Sequence, residues 1–305
     1  MQFLTNTNFD FIGKKKYTVY VVLIVVASLI ISFLIHRGMK VGIDFRGGTL
    51  MQFKFEKNVA IGTVRSALSD VGYGNSEIKH FGADNEILIW MELQPNPESV
   101  SDTIKTVLQK EFPDNTCTLE RVESVGPKIG KELISGAIWA VIMSSLFIII
   151  YLSLRFEFRF ALTTLVCALF DVLFIITVFS VLSIEFSLAT VAAILTILGF
   201  SLNDTIVIMD RIRENLKSLR KESFAVMVNR SINITLSRTI ITSLTVFIVV
   251  IVLFVFGGQV IHDFYFALLI GVFEGSLSTL FIAAPFLVAW TERAERRKLS
   301  KLRPA

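Results

Sequence analysis

Two uninterrupted apolar runs, Tyr17–Ile35 and Leu133–Leu154, hold no charged residue over 19 and 22 positions. Hydrocarbon offers no partner for backbone N–H and C=O groups, so runs of this length can cross a bilayer only as helices that satisfy their own backbone. Four more runs qualify if each is allowed one buried charge: Phe160–Ile184, Phe186–Met209, Ile232–Phe256 and Phe264–Trp290. Hydrophobic residues make up 53% of the 305 positions, too many for a water-soluble chain of this length. The expectation is a membrane all-α fold with six transmembrane helices. The first run exceeds the apolar core of a cleaved leader, and Arg37-Gly38-Met39-Lys40 follows it where a small-residue cleavage site would stand.

Orientation follows from Lys and Arg in the short flanks. One side collects Lys14–Lys16, Arg155, Arg159, Arg211, Arg213, Lys217, Arg220, Lys221, Arg230 and the basic end from Arg293 to Arg303. The opposite loops, 183–185 and 257–263, hold none. Both termini are therefore expected in the cytoplasm, with residues 37–128 outside. The net charge of +4 follows from this topology and does not point to nucleic acid. Cys117 and Cys167 fall in different segments, so no disulfide framework is expected.

Residues 37–128 carry the only soluble-like pattern. Val41–Glu56 alternates as a strand with Gly47-Gly48 at a bend, Val59–Val71 has helical spacing, and Glu77–Phe81 and Glu86–Leu93 flank the turn tetrad 82–85. Pro97–Phe112 is a helix that Pro97 opens, and Thr116–Val125 a last strand. The order βαββαβ is that of a small α+β ferredoxin-like domain, placed periplasmically between the first two spans. Its one histidine is His80, and it has neither C-x-x-C nor H-E-x-x-H. No catalytic or metal constellation is expected there, and the chain reads as a non-enzyme. The organisation is 1–36 cytoplasmic lead and first span, 37–128 external domain, 129–291 spans two to six, and 292–305 basic cytoplasmic tail.

Charges inside spans are costly, about 2.5–3.5 kcal/mol at a helix centre, so they pair or line a wet interior. Asp204 lies six residues before Asp210, where polarity returns, and Arg238 lies five after Asn233. At about 1.5 Å per residue both sit roughly 7–9 Å from one membrane face, so the acid and base are expected to meet. Asn203, Thr235, Thr239, Thr242 and Thr245 are expected to extend a polar route from that pair. Thr196, Gly199 and Asn203 form a small-residue face on the fourth span, and Gly271 and Gly275 a close-packing pair on the sixth. Asp171 and Glu274 are additional titrating candidates near mid-bilayer, and Pro285 is placed to kink the last span.

Four stretches, VGIDFRGGTL (41–50), VESVGPKIGKEL (122–133), FSLNDTIVIMDRIREN (200–215) and TLSRTIITS (235–243), resemble the signatures of the SecF family in the resistance-nodulation-division superfamily. The resemblance runs through nearly the whole chain in order. It implies a subunit that acts with SecD beside the SecYEG translocon in the bacterial inner membrane, drawing on the proton gradient for late preprotein translocation. It also implies contact with the translocating preprotein, and leaves open whether a YajC-like helper binds. No cofactor is implied; protons are the coupling ion, with sodium the alternative. The family's essential acid and arginine fall on Asp204 and Arg238, and its structural motif residues on Asp44, Arg46, Gly47, Gly48, Gly126 and Pro127. Two departures stand out: Phe170 precedes Asp171 where relatives often carry His, and Glu274 occupies a position expected to be apolar. A small-molecule exporter of the same superfamily and a structural scaffold are the alternative readings.

Overall fold

The computed structural model describes residues 7–13, 15–218 and 222–301. In chain order the elements are α1 (Lys15–His36), α2 (Ile43–Arg46), β1 (Gly48–Phe55), α3 (Ile61–Ser69), β2 (Glu77–Phe81), β3 (Ala83–Met91), α4 (Pro97–Glu111) and β4 (Cys117–Val125). There follow α5 (Pro127–Arg155), α6 (Phe158–Val181), α7 (Leu188–Ser218), α8 (Phe224–Phe256), α9 (His262–Ser278) and α10 (Ala284–Lys301). Contacts divide the chain into two units, Met1–Lys40 with Ala140–Ala305, and Val41–Trp139. The basic flank residues Lys14, Arg220, Lys221 and Arg303 lie outside the described residues.

In the smaller unit the sheet order is β2-β3-β1-β4, with every pairing antiparallel. Alternation decides the buried face: Met51, Phe53 and Phe55 of β1 and Ile87, Ile89 and Met91 of β3 point to one side. Val64 and Leu68 of α3 and Ile104 and Leu108 of α4 close over them, each fully buried. Burying each of these side chains contributes about 1.5–3 kcal/mol.

Two local expectations are corrected. The stretch 41–56 is not one strand: residues 43–46 form the helical turn α2, and β1 begins only at Gly48. Gly47, at φ 74°, reverses the chain there and donates its N–H to the Ile43 carbonyl. The β2–β3 turn is also tighter than the tetrad 82–85, because Gly82 at φ 73° joins Phe81 to Ala83 directly.

The larger unit holds the bundle. Among the described residues six helices, α10 counted as the continuation of α9, are long and apolar enough to span a membrane. Most run beyond the expected limits; α7 continues to Ser218 and α8 starts at Phe224, so much of the expected basic connector is helix. Ser223 caps α8 by accepting a hydrogen bond from the Val226 N–H. Helix α9 packs against α6, α7 and α8, and α1 lies along α6. Helix α5 leaves Ile142, Leu146, Phe147 and Leu154 exposed.

The polar lead is not merely solvated. Asn229 and Asn233, one turn apart on α8, grip its backbone: their side-chain oxygens accept from the Phe11 and Phe9 N–H groups at 2.9 and 2.8 Å. Both amide nitrogens donate to the Phe9 carbonyl at 2.9 Å. Phe11 and Ile12 are thereby seated in the main core of the bundle.

Helix α9 ends in a π turn, Thr279–Ala283, before α10. Pro285 explains it: proline has no N–H for the Phe281 carbonyl four residues earlier, and its ring crowds that carbonyl. Thr18 of α1 supplies the missing donor, its Oγ1 lying 2.5 Å from the Phe281 oxygen.

Candidate functional site

Asp204 sits on the side of α7 that packs against α8 and α9, and is 3% exposed. Ser243 Oγ donates to its Oδ2 at 3.0 Å, and Thr242 Oγ1 lies 3.3 Å from its Oδ1, sharing one proton between that oxygen and the Arg238 and Thr239 carbonyls at 3.0 Å. Ser276 of α9 donates to Ser243 at 2.7 Å. The carboxylate therefore ends a chain of hydroxyls that crosses three helices.

The expected ion pair with Arg238 is not formed among the described residues: Arg238 is near enough to act on the carboxylate but does not touch it, and its side chain is exposed. Comparable depth constrains position along a helix axis but not direction around it. Successive residues turn by about 100°, so a helix that aims Thr239, Thr242 and Ser243 at α7 carries Arg238 to the edge of that face.

The expected polar route divides in the same way. Thr242 touches Asp204, and Thr239 is 2% exposed with its hydroxyl unpartnered. Thr235 and Thr245 bond carbonyls of their own helix, the usual way a membrane hydroxyl is satisfied. Asn203 is exposed, as are Thr196 and Gly199. That small-residue face was expected to pack, yet it is exposed, and a Cβ on Gly199 would meet nothing within 4 Å.

Close packing falls instead on the other glycine pair. A Cβ on Gly271 would overlap the Ile197 side chain, and one on Gly275 would stand 3.2 Å from the Ser201 Cβ. This approach brings the hydroxyls of α7 and α9 into range, and Thr205 bonds Thr279 at 2.9 Å.

Asp171 of α6 lies in the same interior, fully buried, with Ser201 Oγ 2.5 Å from Oδ2. Its Oδ1 has no hydrogen-bond partner. Glu274 of α9 is 8% exposed and near enough for the two carboxyls to act on each other. Ser201, Ser243, Ser276, Ser278, Thr205 and Thr279 were not singled out by sequence reasoning. The run Glu274–Thr279 carried the signal, four polar side chains in six positions of an apolar helix.

In the smaller unit the structure unites two motifs some eighty positions apart. Gly47 lies against Val125 and Pro127, a Cβ there meeting the Val125 carbonyl at 3.1 Å, and Gly130 lies against the Phe45 carbonyl. A Cβ on Gly48, at φ 115°, would stand 2.6 Å from the Met91 carbonyl. Arg46 lies 3.6 Å over the Trp90 ring and pairs with Glu77 at 2.6 Å, while Trp90 Nε1 donates to the Gly47 carbonyl at 3.0 Å. Asp44 is in α2 and Pro127 is the first residue of α5; a Cβ on Gly126 would meet nothing within 4 Å. The double glycine is a packing joint, with no phosphate-loop lysine or helix start. Among the described residues no group of three His, Cys, Asp or Glu could hold a metal ion.

Comparison with known proteins places these features in a family. Residues 103–293 match the family described as protein export membrane protein SecD/SecF, C-terminal, and residues 32–59 match the SecD/SecF GG motif. The protein translocase subunit SecF of Magnetococcus marinus is 43% identical over 302 residues, covering 98% of this chain and 96% of that protein. The protein translocase subunit SecDF of Thermus thermophilus is 36% identical over 299 residues, covering 98% of this chain and 40% of its own length. The crystal structure of SecDF from the same organism, titled a translocon-associated membrane protein, superposes with a TM-score of 0.85 at 34% identity, over 96% of this chain and 40% of that one.

Proposed function

The chain belongs to the SecF family of protein-export membrane subunits, and from that premise we propose that it couples the proton gradient to late preprotein translocation through Asp204. It is a multi-pass membrane protein and a Sec export subunit, and its relatives are named translocase subunits. The observation that carries the coupling role is a buried carboxylate held only by hydroxyls, with an arginine on the adjoining helix. Asp204 alternates between an ionised form that accepts from Thr242 and Ser243 and a protonated form that releases them. At about 2.3 kcal/mol per charge per 100 mV, a gradient of about 150 mV supplies roughly 3.5 kcal/mol per proton, enough to shift a helix pair between two packed states.

The exposure of Arg238, Asn203 and Thr196 on one side of α7 and α8 supports a partner face. A bare guanidinium at membrane depth is costly unless covered. A SecD-like subunit, joined to the SecF part in one chain in the Thermus relative, covers it and brings a carboxylate to Arg238. SecYEG and a YajC-like subunit complete the assembly in the bacterial inner membrane, with both termini cytoplasmic. Residues 37–128 form a periplasmic ferredoxin-like domain, a reading that the strand order and alternating helices support. Sodium replaces the proton only if export follows a sodium gradient.

Asp204→Asn and Arg238→Met each abolish the gradient-dependent part of export into inverted membrane vesicles, while insertion and SecD association persist. Normal gradient-dependent export by either variant refutes the coupling role. A charge-swapped double variant that restores export points instead to a static pin of helix register.

A further inference from the structure

A second pair of acids, on α6 and α9, has no part in that scheme. Asp171 is fully buried and accepts from Ser201 at one oxygen; the other has no well-formed hydrogen bond, with the Ser278 hydroxyl alongside. Glu274 is nine-tenths buried, and neither a hydrogen bond nor an ion pair reaches it among the described residues. An ionised carboxylate buried without donors or a cation is strongly disfavoured, and two interacting acids shed their protons in coupled steps.

An opening reaches Glu274 on one side. A crevice of about 450 Å³ opens beside Glu274 between α1 and the end of α9, lined also by Tyr17, Thr18, Val21, Leu277 and Ser278. Its walls are mostly apolar, with the Thr18 and Ser278 hydroxyls and the Glu274 carboxyl as polar groups along it. Ser278 links the two sides, lining the crevice and accepting from Cys167 Sγ of α6 at 3.3 Å.

We propose that Glu274 and Asp171 form a second proton-binding carboxyl centre in the bundle, separate from Asp204 and loaded through the crevice between α1 and α9. Within the apolar runs of the surrounding helices, the titratable and charged groups are Tyr17 and Tyr20 on α1, Cys167 and Asp171 on α6, Asp204 on α7 and Arg238 on α8. Of these, Asp171 acts on Glu274, while Cys167 senses both acids. Arg238 is the one cation in that set and is exposed. The centre rests on burial and partner geometry, not on the coupling role of Asp204.

The test is labelling of the full chain, in vesicles of phosphatidylethanolamine and phosphatidylglycerol, with the hydrophobic reagent dicyclohexylcarbodiimide. A protonated carboxyl adds across its N=C bond: the proton goes to nitrogen, the oxygen bonds to the central carbon, and the adduct rearranges to an N-acylurea with no leaving group. The expected result is an adduct on the peptide containing Glu274, falling as pH rises, absent in E274Q and retained in E274D. D171N displaces the midpoint of the pH profile, and D204N leaves labelling in place. The proposal is overturned by no adduct on Glu274 in the folded protein, by a rate independent of pH, or by D171N having no effect. Protection by sodium over potassium at constant pH also overturns it, in favour of a metal cation. Export is not the readout, so loss of export in D204N with labelling intact and loss of labelling in E274Q with export intact are separate results.

Discussion

Ser243 is the junction of the polar interior, and its removal tests whether that interior carries the coupling. Ser243→Ala deletes two hydrogen bonds, a 3.0 Å donation to the Asp204 carboxylate and a 2.7 Å acceptance from Ser276. Bonds to a charged group contribute about 1.5–3 kcal/mol and neutral ones about 0.5–1.5 kcal/mol. Ser276→Ala loses no bond to a charged group, only a hydroxyl proton shared between Ser243 at 2.7 Å and the Val272 carbonyl at 2.9 Å. If the ionised form of Asp204 is needed in each cycle, the factor of ten per 1.4 kcal/mol turns these energies into rates. Gradient-dependent export then falls roughly 30- to 1600-fold in S243A, which loses both bonds, and roughly 2- to 12-fold in S276A. The double variant matches S243A, because the Ser276 bond is already gone. Rates come from preprotein uptake into inverted vesicles with the gradient present and collapsed, normalised to SecF content. Equal losses in the two single variants, multiplying in the double, refute the reasoning, as does an S243A rate within twofold of the parent.

Three other outcomes follow from the packing. Thr18→Val leaves the Phe281 carbonyl without its donor and lowers stability by about 1–3 kcal/mol; thermal unfolding in micelles reads this, and the loss shrinks in a Pro285→Ala background, where residue 285 regains an N–H. Gly48→Ala meets both an unfavourable φ of 115° and the Met91 carbonyl, costing at least about 1–3 kcal/mol; proteolysis of residues 41–139 in the intact chain accelerates, whereas Gly126→Ala, with open space at its Cβ, stays near the parent. Burial pushes the Cys117 thiol from 9.0 up to about 11, so at pH 8 it holds roughly a hundredfold less thiolate; alkylation is slow in the folded protein and becomes fast on unfolding, and a rate equal to that of a free cysteine contradicts the burial.

The number of spans and the element order of the small domain were legible in the chain because they depend on local quantities. Run length, period and punctuation by Gly and Pro say whether a segment is helix or strand, and Pro97 and the alternation along Phe53 and Phe55 were sufficient for theirs. The same local chemistry marked Asp204, Arg238, Asp171 and Glu274 as charges that needed a reason to be buried. Which of them meet was a matter of helix rotation and approach, decided by contacts far apart in the chain. Gly271 and Gly275 let α9 close on Ile197 and Ser201, and that closeness put Ser276 and Ser243 in line with Asp204 while the phase of α8 turned Arg238 outward. Distance between helix axes and angle about them are properties of the packed bundle. A residue's depth and charge can be written in its own segment; its neighbour cannot.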